Sequence, residues 1–192
     1  MTAQDLFRCI GNLSDTMIEE AADIRRKKRW LPIAALAACA VAWKFGISGE
    51  TAAAALAEFH GAGRRLEYKG SFHGADVYDD YAHHPNELHA LLQAVRLMHY
   101  RRVICAFQPH TYSRTKALFQ SFVDELRTAD QVVLADIYAA REQNTVGVSS
   151  QELAAEIPGA VYCPSLQGVT ACLRENAQPG DIILTVGAGD IY

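Results

Sequence analysis

Strand and helix patterns alternate from about residue 85 onward, which predicts an α/β fold with a mainly parallel, Rossmann-like sheet and right-handed crossovers. Two further observations refine that class. Leu66–Phe72 and Ala75–Tyr81 read as strands joined around His73-Gly74, an antiparallel β-hairpin at the start of the sheet. Ile33–Phe45 and Ser48–Phe59 read as an Ala-rich helical hairpin that precedes it. The best boundary is Gly61-Ala62-Gly63, dividing a helical segment, residues 1–62, from a sheet domain, residues 63–192.

The 192 residues carry a formal net charge of −4, with half of them hydrophobic and 21% charged, the balance of a globular chain that buries a core. Five widely spaced cysteines with no CxxC pair read as reduced thiols of a cytoplasmic protein, and zinc is not expected. No window holds the ~18 apolar residues of a membrane span. Asp5, Arg8 and the lack of a long apolar core argue against a signal peptide at the start.

Leu6, Ile10, Leu13 and Met17 fall at helical spacing. Arg25-Arg26-Lys27-Lys28-Arg29 is the one charge run. With those five cations set aside the net charge falls from −4 to −9, a field that repels nucleic acid, so a solvated helix end is the expected reading. Gly46 ends the first helix of the hairpin. Ser48 is placed to cap the second, with Leu56 and Phe59 facing the first.

Gly61-Ala62-Gly63-Arg64-Arg65 then opens the first strand. Adjacent strand residues point to opposite faces, so one arginine at most serves a given ligand. A guanidinium suits phosphate; a rim arginine paired with Glu67 or Asp76 is an equal reading. Val77–Glu87 gathers two carboxylates, two phenols and two imidazoles at a strand-to-helix junction, where open α/β sheets bind ligands. Pro85 suits a first helical turn, and Leu88, Leu91, Leu92 and Val95 form the buried stripe that follows.

Arg102–Phe107 is a buried strand running into Gln108-Pro109-His110-Thr111-Tyr112-Ser113-Arg114-Thr115. Ser113 is expected to cap the next helix, whose Leu118, Phe122 and Leu126 face the core. Arg114 in a first turn opposes the helix dipole, which points to an anion nearby. Gln131–Ala135 is the next strand, ending in Asp136-Ile137-Tyr138. Ser149 with Glu152 forms a capping box. Ala160–Tyr162 is a short strand, and Ser165 caps the helix carrying Val169, Cys172 and Leu173. Ile182–Val186 has no polar alternation, so it is buried on both faces. The glycines of Gly187-Ala188-Gly189-Asp190 read as a tight turn, since the full phosphate-binding fingerprint is absent.

Three motifs in this order, Gly61–Arg65, Asp79-Asp80-Tyr81-Ala82-His83-His84-Pro85 and Phe107–Thr115, resemble the Mur ligase family, in its branch that joins L-alanine to UDP-N-acetylmuramate. Gly187–Ile191 is similar to that family's late glycine turn, and the resemblance runs from about Ala35 to the end. It implies one part of a three-domain, ATP-dependent amide ligase of peptidoglycan synthesis, in which the substrate carboxylate is activated as an acyl phosphate. It implies that residues 63–192 are the C-terminal domain, and residues 1–62 the end of a central ATPase domain plus an unassigned start.

Residue by residue, the resemblance implies that Arg65 reaches the ATP phosphates and that Asp80 accepts from the ribose hydroxyls. Tyr81 and His83 would line the L-alanine site, with His83 the catalytic group that steers or deprotonates the amine. His110 and Arg114 would hold the alanine carboxylate. No metal ligand is expected here; those for Mg2+ belong to the central domain. The departures are specific. There is no GxxxxGK[ST] phosphate loop, Thr111 stands where some members carry an arginine, Arg29-Trp30-Leu31-Pro32 replaces a His-Asn pair, and no terminal helix follows Ile191. The expectation is a piece that does not ligate alone, with UDP-N-acetylmuramate reached through missing domains that a partner chain could supply. The alternatives are a non-catalytic nucleotide or amino-acid binder, a remnant, or the C-terminal part of a murein-peptide ligase. Neither nucleic acid nor membrane is an expected partner.

Overall fold

A computed structural model of the protein describes residues 31–59 and 62–192, with side chains from 37 onward. The expected N-terminal helix and the Arg25–Arg29 run lie outside the described residues. The chain divides into two compact units, Met1–His60 and Gly61–Tyr192, where the sequence suggested 62/63.

In the first unit, α1 (Leu31–Lys44) and α2 (Gly49–Ala57) form the helical hairpin. Gly46 sits at φ +75°, the left-handed turn that ends α1. Ser48 caps α2, its Oγ accepting from the Thr51 amide at 3.2 Å. Phe59 departs from expectation: it lies beyond the end of α2 and is 59% exposed.

The second unit is a six-stranded sheet, in the spatial order β1-β2-β6-β3-β4-β5. The strands are β1 (Glu67–Phe72), β2 (Ala75–Asp80), β3 (Arg102–Phe107), β4 (Gln131–Ala135), β5 (Val161–Cys163) and β6 (Asp181–Val186). β1 pairs antiparallel with β2, and every other pairing is parallel. The hairpin turn is His73-Gly74, with φ of +51° and +77°, the doubly positive geometry that matches strand twist. The helices are α3 (Pro85–Arg96), α4 (Tyr112–Ala117), α5 (Phe119–Leu126), α6 (Ser150–Ala155) and α7 (Leu166–Asn176).

Burial explains the unbroken hydrophobic strands. On one face, Val103, Cys105 and Phe107 of β3 and Ile182, Leu184 and Val186 of β6 pack with Leu88, Leu92 and Val95 of α3 and with Phe122 and Leu126 of α5. On the other, Ala106 and Val133 pack with Val169 of α7, while Ile104 and Ile183 meet Ala75 and Ala177. A strand covered on both sides has no reason to alternate. Each fully buried aliphatic side chain contributes ~1.5–3 kcal/mol, and the whole α3 stripe, Leu88, Leu91, Leu92 and Val95, is buried.

Three local expectations shift. The helix expected to start at Ser113 begins at Tyr112 with Thr111 at its N-cap, at φ +68° and with no side-chain cap bond. Ser113 instead donates its amide and its hydroxyl to Glu142, at 2.9 and 2.5 Å. The run also breaks at Leu118 into α4 and α5, so α4 stays at the rim while Phe122, Val123 and Leu126 turn inward. β5 falls one residue later than expected. The caps Ser149 with Glu152, and Ser165, form as expected. Among the described residues no helix is long and apolar enough to cross a membrane.

Candidate functional site

The carboxyl ends of β2, β6, β3 and β4 lie side by side along the sheet, so the loops that follow them meet at one rim. The loop after β2 supplies Tyr81, His83 and His84, and the loop after β3 supplies His110. The loop after β4 supplies Tyr138, and that after β6 supplies Gly187–Asp190. His110 and Tyr138 form an isolated parallel bridge that extends the β3–β4 pairing beyond the strands.

Four rings follow one another across this rim. Tyr81 meets His83 edge-on with centroids 5.4 Å apart, His83 lies 5.9 Å from His110, and His110 stacks on Tyr138 at 5.5 Å. The Arg114 Nη1 lies 3.4 Å from His110 Nδ1. Burial lowers the His110 pKa first, and the positive charge of Arg114 lowers it further, with Glu142 opposing in part. His110 is thus biased toward the neutral imidazole, leaving Arg114 as the cation beside it.

The two arginines before β1 have separate tasks. Both precede the strand rather than alternating within it, since Arg64 and Leu66 adopt positive φ, +56° and +47°. The Arg64 Nε donates to Asp79 at 2.8 Å, and its Nη atoms donate to the carbonyls of Gly187, at 2.6 Å, and Gly189, at 3.1 Å. Its guanidinium also lies over the rings of Tyr81 and Tyr192, at 5.1 and 4.2 Å. Arg64 therefore ties the β2 end to the glycine turn. The side chain of Arg65 is exposed, 5.7 Å from the Tyr81 centroid, and among the described residues it makes no ion pair. The rim pairings with Glu67 or Asp76 do not form; Glu67 instead accepts from the Arg64 amide.

Asp80 is 7% exposed and accepts one backbone amide at each oxygen, from Leu66 and Ala82, both at 2.8 Å. Burial raises its pKa above the ordinary value, against the pull of those two amides and of Arg65. Each oxygen keeps a second lone pair, so the carboxylate still suits a pair of ribose hydroxyls. The Arg65 guanidinium, exposed and without an ion pair among the described residues, acts on this carboxylate as a nearby positive charge. The donor set does not fit a metal: among the described residues no three His, Cys, Asp or Glu side chains gather as ligands would. The magnesium ligands are expected in a central domain outside residues 63–192, and nothing among the described residues bears on them.

The glycine turn is shaped by close approach. A Cβ on Gly187 would stand 2.6 Å from the Gln108 carbonyl oxygen, and one on Gly189 would collide with the Gln108 amide and the Tyr138 ring. Gln108, nearly buried, accepts from the Asp190 amide at 3.0 Å. The turn thus packs on the β3 loop rather than standing open.

The six candidate residues are neighbours along this rim. Tyr81, His83, His110 and Arg114 lie in one row, with Asp80 and Arg65 at its Tyr81 end. Sequence reasoning missed Tyr138, Arg64 as a clamp, and the Ser113–Glu142 tie. Tyr138 carried a usable signal, since it follows β4 at the same sheet edge as the other loops.

The model of the family described as Mur ligase, glutamate ligase domain matches residues 64–189. A UDP-N-acetylmuramate--L-alanine ligase of Agathobacter rectalis is 47% identical over 161 residues, 82% of this chain and 35% of that protein. The chain thus spans about a third of the length of the curated relatives it matches. Among solved structures, the UDP-N-acetylmuramate-alanine ligase of Thermotoga maritima superposes with a TM-score of 0.64 at 26% identity, over 82% of this chain and 34% of that one. A murein peptide ligase of Psychrobacter arcticus gives 0.56 at 25%, over 81% and 33%.

Proposed function

The chain belongs to the Mur ligase family, and from that premise we propose that residues 63–192 are the amino-acid- and ATP-closing domain of a UDP-N-acetylmuramate:L-alanine ligase. Its reaction would form an amide bond in cytoplasmic peptidoglycan precursor synthesis. The observation that carries this reading is the row of His83, His110 and Arg114 along one rim, beside Asp80 and Arg65.

When bound, ATP supplies the phosphoryl group that activates the sugar's carboxylate for amide formation. On this reading Arg65 would meet its phosphates and Asp80 its ribose. At the other end of the row, Arg114 offers a charged donor to the carboxylate of L-alanine, with His110 as a neutral neighbour. His83 is placed for the ammonium and for the proton that must leave before the amine attacks. Tyr81 closes the site between the two ligands.

These 192 residues contain no phosphate loop, and electrostatic stabilisation of phosphoryl transfer depends on one. The loop, the magnesium ligands and the UDP-sugar site would come from elsewhere in a longer polypeptide or from a second chain. Calorimetry of the 192-residue chain with L-alanine and with ATP tests the reading. Binding of L-alanine lost in Arg114→Ala, and of ATP lost in Asp80→Ala, is the expected result. No heat with either ligand would leave a remnant. ADP release from the chain alone with UDP-N-acetylmuramate, L-alanine and ATP would overturn the assigned division of labour.

A further inference from the structure

We propose that His83 and His110 face the amino-acid site as opposite tautomers, and that Glu87 is the positioning residue that fixes the His83 one. The partners of the two Nδ1 atoms assign the protons. His83 Nδ1 lies 3.1 Å from the Tyr81 carbonyl oxygen and 3.4 Å from Glu87 Oε2. Neither group donates, so this nitrogen carries the hydrogen and Nε2 is left bare. His110 Nδ1 lies 3.4 Å from Arg114 Nη1, which only donates, so here Nδ1 is bare and Nε2 carries the hydrogen.

With both Nδ1 atoms committed to the protein, and neither Nε2 hydrogen-bonded among the described residues, each Nε2 is the nitrogen available to a ligand. One is an acceptor and the other a donor, on rings 5.9 Å apart. An α-amino acid in its zwitterionic form presents the matching pair, an ammonium that donates and a carboxylate that accepts. Two rings of the same tautomer would leave one end of that ligand facing a like group. The pairing therefore orients the amino acid as well as holding it, and it rests on the reading of this rim as an amino-acid site.

Glu87 is built to keep its charge at this spot. Its Oε2 accepts from the amides of His83, at 2.9 Å, and His84, at 3.2 Å, as the third helical residue of the α3 capping box. Burial pushes its carboxyl up, but the backbone amides of His83 and His84 help to hold it below the usual value. An ionised carboxylate beside Nδ1 favours the hydrogen there and disfavours it on Nε2.

Long-range nitrogen–proton correlation spectra of the 192-residue chain, at about pH 8 where an ordinary imidazole is neutral, report each tautomer directly. The expected spectrum has His83 protonated on Nδ1 and His110 on Nε2. In Glu87→Gln, which can still accept the two amides, the His83 signal should shift toward the Nε2-protonated form, and L-alanine affinity should fall about fivefold, one ordinary hydrogen bond. His110 should not change. Nε2-protonated His83 in the unsubstituted chain, or an unmoved His83 signal in both Glu87→Gln and Glu87→Ala, overturns the proposal. L-alanine binding alongside that result would leave the functional reading standing. Opposite tautomers in a chain that binds no amino acid would support the histidine assignment and end the reading of the rim.

Discussion

Arg64 and Asp79 form an ion pair across the start of the rim, Nε to Oδ2 at 2.8 Å, with the Asp79 side chain wholly buried. Thr185 of β6 donates to the other oxygen at 2.9 Å, so the carboxylate joins β2 to β6 as well. Removing one partner of a buried pair leaves the other charge without compensation. Arg64→Met should cost about 3 kcal/mol or more in urea unfolding. Arg65→Met, on the exposed neighbour, should change stability by no more than ~0.5 kcal/mol while lowering nucleotide affinity. Equal stability losses would mean that the two arginines share one role.

Two neighbouring histidines should separate in the same way. The backbone of His84 is extended, and its Nδ1 accepts from the Asn86 amide at 3.2 Å as the cap of α3. His84→Ala should lose about 1 kcal/mol of stability, and His84→Ser should recover most of it. His83→Ala should leave stability within ~0.5 kcal/mol and remove L-alanine binding. Denaturant melts with parallel calorimetry distinguish the two.

At the glycine turn, Gly187 combines φ +148° with a contact that a Cβ would bring to 2.6 Å from a backbone oxygen. Gly187→Ala should therefore cost about 2 kcal/mol or more, read as a lower melting temperature. Gly147, at φ +59° with nothing near a Cβ, is the control, at roughly 1 kcal/mol.

Acid stability should depend on Asp181, at the amino-terminal end of β6. Its side chain is fully buried and takes Arg101 and Arg102, both at 2.8 Å, and the Gln178 amide at 3.0 Å. Burial raises its pKa, but the Arg102 hydrogen bond, the Gln178 amide and Arg101 outweigh it and hold it below the ordinary value. The folded state thus binds this proton less readily than the unfolded chain. Its stabilisation is complete above the unfolded carboxylate value, about 3.9, and is lost as pH falls through the lower folded one. Asp181→Asn should reduce stability at neutral pH and flatten the acid limb of a stability–pH curve below about pH 4. A parallel curve would assign acid unfolding to other groups.

Short-range chemistry was legible in the sequence. The α3 stripe, the caps at Ser48, Ser149 and Ser165 and the His73-Gly74 turn rest on spacings of a few residues, and all appear as read. The site was legible as three polar loops at strand ends. What was hidden depends on pairings far apart in sequence. No local pattern says that β6 inserts between β2 and β3, that Tyr138 stacks on His110, or that Arg64 spans to Gly187 and Gly189. Ser113 misled because it is a good cap residue whose hydroxyl was already spoken for by Glu142.

The central place of β6 also has a consequence for synthesis. The hairpin and the β3–β4–β5 group flank it and do not pair with each other. A ribosome therefore exports two half-sheets whose inner edges stay open until β6 emerges. Open edges of this kind invite chaperone binding, and a stop codon before Asp181 would leave them open for good.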